Sequence, residues 1–169
     1  EVITLLSTLP YIGMAVSSFN AGLVADIMLS KGLPVKTVRR IIMAVSCFGP
    51  AVAMTALTKM SAPLPAVLCI LAALSTLAVS SAGYHAYVQD VAPKQAGRVI
   101  GFTNTVGTLF GFFGTALVGA IHERTGSFHS VFLVTGAVCA SAFFAFWMAS
   151  SSEEMLIPAP IQHQNKRST

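Results

Sequence analysis

The sequence predicts an all-α membrane protein with five transmembrane helices. Of its 169 residues, 54% are hydrophobic and only 9% are charged, whereas a soluble domain carries about 25% charged residues. The few charges leave five long uncharged stretches, and a helix needs about 20 apolar residues to cross a bilayer. A membrane β-barrel would show runs of about ten residues in which apolar and polar residues alternate, and this sequence lacks them. The backbone must therefore satisfy its hydrogen bonds within helices. This composition excludes a soluble enzyme, a disordered chain and a nucleic-acid-binding protein.

Each span is placed by the charges and prolines that border it. Pro10 in the first span and Pro50 in the second each remove an intrahelical hydrogen bond and bend the helix. The third span is expected to begin after Pro63 and Pro65. We place the spans at about residues 2–27, 38–58, 64–89, 96–121 and 128–150.

Basic residues are concentrated on one side of the expected bundle. Because cytoplasmic loops carry the excess of Lys and Arg, this side and the C-terminus are expected in the cytoplasm or its equivalent, in a membrane that the sequence does not identify. A patch for lipid headgroups or nucleic acid is the alternative interpretation of these charges. The basic side would hold Lys31, Lys36, Arg39, Arg40, Lys94, Arg98, Lys166 and Arg167, against Lys59 and Arg124 on the other.

The two ends of the chain differ in character. Residues 1–149 are expected to form the transmembrane bundle, and residues 151–169, with Pro158, Pro160 and many polar residues, a disordered cytoplasmic tail. Glu1 stands almost directly before the first span, without a basic leader and cleavage site. We therefore expect this chain to be a portion of a longer protein.

The fourth span has one helical face made only of small or polar residues. Small residues allow helices to approach closely in lipid, so Gly101, Gly107, Gly111 and Gly119 are candidates for helix packing. Alternatively, part of the face lines a water-filled cavity, because an amide in mid-membrane needs a partner or water. The candidates for that cavity are Asn104 and Thr108.

The end of the third span collects three further polar candidates for a substrate cavity, Ser81, Tyr84 and His85. A histidine in a membrane segment is a candidate proton carrier or anion donor. However, His85 lies five residues before Asp90, near the end of the span, and tyrosines also anchor helices at membrane interfaces. A transport role and an interfacial role therefore both remain open.

None of the uncharged spans contains the residues that an enzyme or a metal site needs. The uncharged stretches (residues 2–25, 41–58, 60–89, 99–122 and 125–152) hold no Lys, Arg, Asp or Glu. Cys47, Cys69 and Cys139 lack metal-ligand spacing. We expect no enzyme activity, no metal and no cofactor other than a coupling ion.

Four segments resemble one family: LLSTLPYIGM, GLVAD followed by VRR, FGP, and QDVAPKQAGRVIGFTNTVGTLFG. They are similar to the anion:cation symporter branch of the major facilitator superfamily, which includes sodium/phosphate, vesicular glutamate and sialic acid, and plant plastid phosphate transporters. The resemblance runs from about Leu5 to Ser152. Family members have twelve helices in two halves, so it implies that the five spans correspond to helices 8–12, without the first half and the seventh helix.

The resemblance also implies a cytoplasmic gate motif formed by Gly22, Asp26, Arg39 and Arg40. In that motif the acid caps a neighbouring helix and pairs with basic residues, which holds the inner gate closed. The alternative is that the basic residues only set the topology. Relatives often carry a histidine where this chain has Val88, so the family's histidine role does not transfer directly.

By resemblance, the function is secondary transport of inorganic phosphate or a small organic anion, coupled to Na⁺ or H⁺, with this chain as an incomplete C-terminal half. The expected partners are the lipid bilayer, the missing N-terminal half and a small anionic substrate, and no nucleic acid. The alternative is a truncated, non-transporting membrane protein that acts as a structural or interaction partner.

Overall fold

A computed structural model describes the backbone of residues 2–152 and the side chains of residues 8–150, and every element in that range is helical. Five of its helical stretches are long and apolar enough to cross a membrane. The expected all-α fold with five spans is therefore confirmed. The elements are α1 (Val2–Ser30), α2 (Val35–Leu57), α3 (Pro63–Ala78), a π-helical segment (Ser81–His85), α4 (Ala86–Val91), α5 (Ala96–Thr125) and α6 (His129–Ser152).

The ends of the helices follow local backbone chemistry. Helix α3 begins at Pro63 itself, because a proline in the first turn lacks only an N–H that the helix would not use. Gly32, after α1, and Gly126, after α5, have φ angles of 83° and 64°, in the left-handed region that favours glycine. The third span, expected as one helix, is divided by the π-helical segment. Of the expected tail at residues 151–169, residues 151 and 152 belong to α6, and the rest lies outside the described residues.

Helix α3 packs against both α1 and α2, and α2 also packs against α6. Two glycines permit this close approach. A Cβ added to Gly49 would lie 2.5 Å from Cβ of Thr76, and one added to Gly13 would lie 2.6 Å from Ser75 Oγ. Small residues on α1 and α2 thus allow these helices to approach α3 closely.

The successive helices reverse direction, so Ser30, Val35, Val91, Ala96 and Ser152 border one end of the bundle. This end carries most of the basic residues and is called the basic end below. Two hydrophobic clusters pack near it. One joins α1, α2 and the π-helical segment through Ala21, Ala25, Val38, Ile42 and Ala82, and the other contains Met43, Cys47, Tyr87 and Phe146.

Helix α5 is almost uncovered. Ala96, at its start, is its only buried residue, and it packs mainly against its chain neighbours α4 and α6. Nothing lies within 4 Å of a Cβ added to Gly101, Gly107, Gly111 or Gly119. Within residues 8–150, the expected packing face of the fourth span therefore has no partner, and its role in helix packing stays a prediction.

The close approach of α2 and α3 gives a stability prediction. Gly49→Ala would force a methyl group into Thr76, whose side chain is branched at Cβ and stiff. We expect the native protein to lose about 1–3 kcal/mol of stability, the usual cost of overpacking, seen as a lower apparent Tm in detergent. Gly22→Ala on α1 is the matched control, because open space surrounds that position. Equal Tm values for the two variants would contradict this packing.

Candidate functional site

Arg39 connects three elements at the basic end. It lies near the start of α2 and is buried. Its Nε donates to Oδ2 of Asp90 on α4 at 2.8 Å, and its Nη1 donates to the carbonyl oxygen of Ala82 in the π-helical segment at 2.9 Å. Arg39–Asp90 is the sole ion pair among the described residues. A buried charge needs such partners, because desolvation otherwise costs several kcal/mol.

The π-helical segment is held by α1 as well. Ser18 Oγ of α1 lies 2.8 Å from Ser81 Oγ, and Ser81 itself donates to the carbonyl oxygen of Ala78. On the α2 side, a Cβ added to Gly83 would lie 2.9 Å from Met43. Single π-helical turns inside α-helices are frequent at functional sites, and this one is fixed by two neighbouring helices.

The structure brings together the three candidates from the end of the third span. Ser81, Tyr84 and His85 all lie in the π-helical segment and are half-buried. The rings of Tyr84 and His85 are 5.5 Å apart. Tyr84 also lines an open groove of about 300 Å³, with Tyr87 and Phe146 among its other walls. Because this groove is mostly apolar, it does not by itself form a binding site for an anion.

Arg40 contacts a different helix from its neighbour. Its Nε donates to Ser150 Oγ on α6 at 2.9 Å, and its Nη2 donates to the carbonyl oxygen of Trp147 at 3.4 Å. The guanidinium also lies 4.1 Å from the centre of the Trp147 ring, within range of a cation–π interaction. The two adjacent arginines thus connect α2 to opposite neighbours, Arg39 to α4 and Arg40 to α6.

Among residues 8–150, Asp26 forms no ion pair with these arginines. Asp26 is exposed on α1, Gly22 is half-buried with open space around it, and neither contributes an ion pair in residues 8–150. The buried residues of this part of α1 are Ala21 and Ala25, one position earlier on the helix. The carboxylate that pairs with Arg39 comes instead from Asp90. Whether these residues act as a gate stays a prediction.

The two candidates on α5 lie apart from the π-helical segment. Asn104 and Thr108 are both exposed, and Thr108 donates its hydroxyl to the Asn104 carbonyl within the same helix at 2.9 Å. No hydrogen bond in the described part of the chain joins them to Ser81, Tyr84 or His85. No group of three or more His, Cys, Asp or Glu residues among the described ones could hold a metal ion.

Sequence reasoning missed three residues that contact the candidate site or its arginines: Ser18, Trp147 and Ser150. Each acts through a contact with a distant helix, which no local pattern reveals. The partner of Arg39 carried a usable signal. Only Asp26 and Asp90 supply carboxylates at the basic end among residues 8–150, so an arginine buried there has only these two candidate counterions in that range.

Comparison with known proteins identifies relatives along most of the chain. The family model described as Major Facilitator Superfamily matches residues 1–168. "Probable anion transporter 1, chloroplastic" of Oryza sativa subsp. japonica is 37% identical over 152 residues, which cover 90% of this chain and 28% of the relative. "Ascorbate transporter, chloroplastic" of Arabidopsis thaliana is 36% identical over 152 residues, with the same two coverages, 90% and 28%.

A third relative is named for another substrate. "Sodium-dependent phosphate transport protein 1, chloroplastic" of Arabidopsis thaliana is 38% identical over 131 residues, which cover 78% of this chain and 25% of the relative. The chain therefore spans about a quarter of the length of these curated relatives.

The ion pair predicts unequal effects for the two acids at the basic end. The Arg39 and Asp90 side chains are 11% and 30% exposed, so their interaction should lie between the values for surface and buried pairs. We expect Asp90→Asn to cost the native protein about 1–3 kcal/mol and Asp26→Asn less than about 0.5 kcal/mol.

A double-mutant cycle with Arg39→Gln and Asp90→Asn, followed by thermal unfolding in detergent, measures the coupling directly. A second cycle with Arg39→Gln and Asp26→Asn supplies the comparison, and a larger coupling to Arg39 for Asp26 than for Asp90 would contradict the assigned pairing.

Proposed function

The chain belongs to the Major Facilitator Superfamily, and we propose that the protein containing it transports a small anion across a membrane. The observation that carries this proposal is the match of five apolar helices to relatives that are named as anion, phosphate and ascorbate transporters. The substrate class is inorganic phosphate or a small organic anion, moved together with Na⁺ or H⁺. The membrane is a plastid membrane if the protein shares the location of these relatives.

The polar residues of this chain supply neutral donors for such a substrate. The uncharged spans offer hydroxyl, imidazole and amide groups but no fixed positive charge. Transporters bind substrate near the middle of the membrane, between two structural repeats. The cations that neutralise an anion there would come from the other half of the protein, while Ser81, Tyr84, His85, Asn104 and Thr108 would complete its hydrogen bonds.

The uncovered face of α5 supports a partner half. In lipid, helices associate through close packing of small residues, and this face has those residues but no neighbour among residues 8–150. A second set of helices, the N-terminal half that the resemblance implies, would cover the face. Asn104 would then lie between the halves, where a substrate cavity belongs.

The Arg39–Asp90 pair supports a gate at the basic end. A charge-assisted hydrogen bond is strong yet reversible, and here it fixes α4 and the π-helical segment against α2. Closure of the bundle at this end would require the pair, and opening would break it. By the positive-inside rule, this end and the C-terminus face the cytoplasm or its equivalent.

The second candidate is a non-transporting protein that uses the same α5 face to bind another membrane protein. The size of the native protein distinguishes the two. An antibody against residues 153–169, used on native membranes, should detect a band far larger than 17.7 kDa. A band at 17.7 kDa would favour the interaction partner over the transporter.

Uptake measurements test the proposed transport. Asn104→Leu should reduce uptake of phosphate or organic anions about tenfold at equal membrane abundance, because the hydrogen bonds of one amide are lost. Phe113→Leu is the control, since Phe113 lies on the opposite side of α5 and is exposed. Equal uptake by the two variants would show that the Asn104 face does not line the cavity.

The coupling ion is tested on the native protein in sealed vesicles. Replacement of Na⁺ by choline, or collapse of the pH gradient, should stop accumulation, depending on which ion is coupled. Failure to accumulate any small anion under either gradient would refute anion symport.

A further inference from the structure

Along the surface where α2 meets α6, basic side chains lie at the basic end and aromatic side chains lie further towards the middle of the helices. On α2, Lys36 and Arg40 are four residues apart and therefore share a face, and Phe48 follows two turns later. On α6, Trp147 and Phe144 lie beside them. We call these five residues the α2–α6 seam. It is cationic at the end of the bundle and aromatic further in.

Among residues 8–150, no carboxylate pairs with the cationic part of the seam. The partners of Arg40 are the Ser150 hydroxyl, the Trp147 carbonyl and the Trp147 ring, all of them neutral. Lys36 is half-buried one turn earlier. The only ion pair among residues 8–150 belongs to Arg39, which points to the other side of α2. Two positive charges are therefore held side by side, and Arg40 is fixed in place by three contacts.

The aromatic part of the seam is both packed and exposed. The ring of Phe48 lies 5.0 Å from Phe143 and 6.3 Å from Phe144, and Phe143 lies 5.7 Å from Trp147. Nevertheless, Phe144 is 60% exposed and Trp147 is 45% exposed. Tryptophan is enriched where membrane helices meet the headgroup region, so Trp147 marks the level at which headgroup and acyl chain meet.

We propose that the α2–α6 seam binds an anionic phospholipid, with Lys36 and Arg40 contacting the headgroup phosphate and Trp147 and Phe144 contacting the start of an acyl chain. Basic sites between helices at a membrane face bind anionic headgroups. A soluble phosphate ion would contact only the two cations and leave the aromatic side chains uncovered. A phospholipid would contact the cations with its headgroup and the aromatic side chains with its acyl chain. This inference rests on α2 and α6 alone and does not depend on transport.

The test uses Trp147, which is the single tryptophan of this chain. The native protein is reconstituted with brominated phosphatidylglycerol or, at equal mole fraction, with brominated phosphatidylcholine, and tryptophan quenching is measured. The Trp147→Phe variant gives the background from the rest of the native protein. Each cation near an anionic surface should give about a fivefold preference for an anionic lipid. The two cations together should make the seam prefer phosphatidylglycerol over phosphatidylcholine about thirtyfold.

Matched variants locate the preference. Lys36→Gln with Arg40→Gln should remove it, while Lys94→Gln with Arg98→Gln, two cations near the start of α5 at the same end, should leave it intact. Lys36→Gln alone should reduce it about fivefold and keeps the Arg40 contacts between helices. Equal quenching by the two lipids, or equal loss in both double variants, would overturn the proposal.

Two further experiments test whether something other than a phospholipid occupies the seam. An excess of inorganic phosphate should not reduce quenching by phosphatidylglycerol. If it does, the site belongs to a soluble anion and the proposal fails. Glu153→Gln with Glu154→Gln should leave the lipid preference unchanged. If the preference appears only in that variant, carboxylates of the chain itself occupy the seam and the proposal is overturned.

Discussion

The buried guanidinium of Arg39 is the constraint on which the arrangement of the basic end depends. A charge removed from water requires a counterion and hydrogen-bond acceptors. Asp90 supplies the first and the Ala82 carbonyl supplies the second, at 2.8 and 2.9 Å. Because these groups lie on either side of His85, one side chain on α2 determines where both the π-helical segment and α4 can lie.

The architecture was largely predictable because the physical rule behind it is strong. Lipid excludes unpaired backbone groups and unpaired charges, so uncharged stretches such as residues 99–122 specify helices without reference to tertiary contacts. The π-helical turn at Ser81–His85 was not predictable in this way. It depends on Ser18 from α1 and on Arg39 and Met43 from α2. The sequence of the third span alone does not indicate these contacts with neighbouring helices.

The candidate site shows the same division. Ser81, Tyr84 and His85 lie together in the π-helical segment, as their closeness in the chain indicated, whereas nothing in the sequence indicated that Arg39 is buried. The resemblance implied that Asp26 pairs with basic residues of the gate motif, whereas the carboxylate that the structure pairs with Arg39 is Asp90. The choice depends on which face of α1 turns inward, and Ala21 and Ala25 rather than Asp26 occupy that face.

Adjacent arginines on one helix cannot serve the same neighbour, because successive side chains point about 100° apart around the axis. Arg39 therefore connects α2 to α4 through an ion pair, and Arg40 connects α2 to α6 through neutral partners.

This difference has a mechanical consequence. If the ion pair breaks, α4 loses this link to α2, whereas the contacts of Arg40 between α2 and α6 stay in place. A gate at the basic end and a lipid bound at the α2–α6 seam are compatible for this reason, since the first requires motion of one pair of helices and the second requires that the other pair stays together.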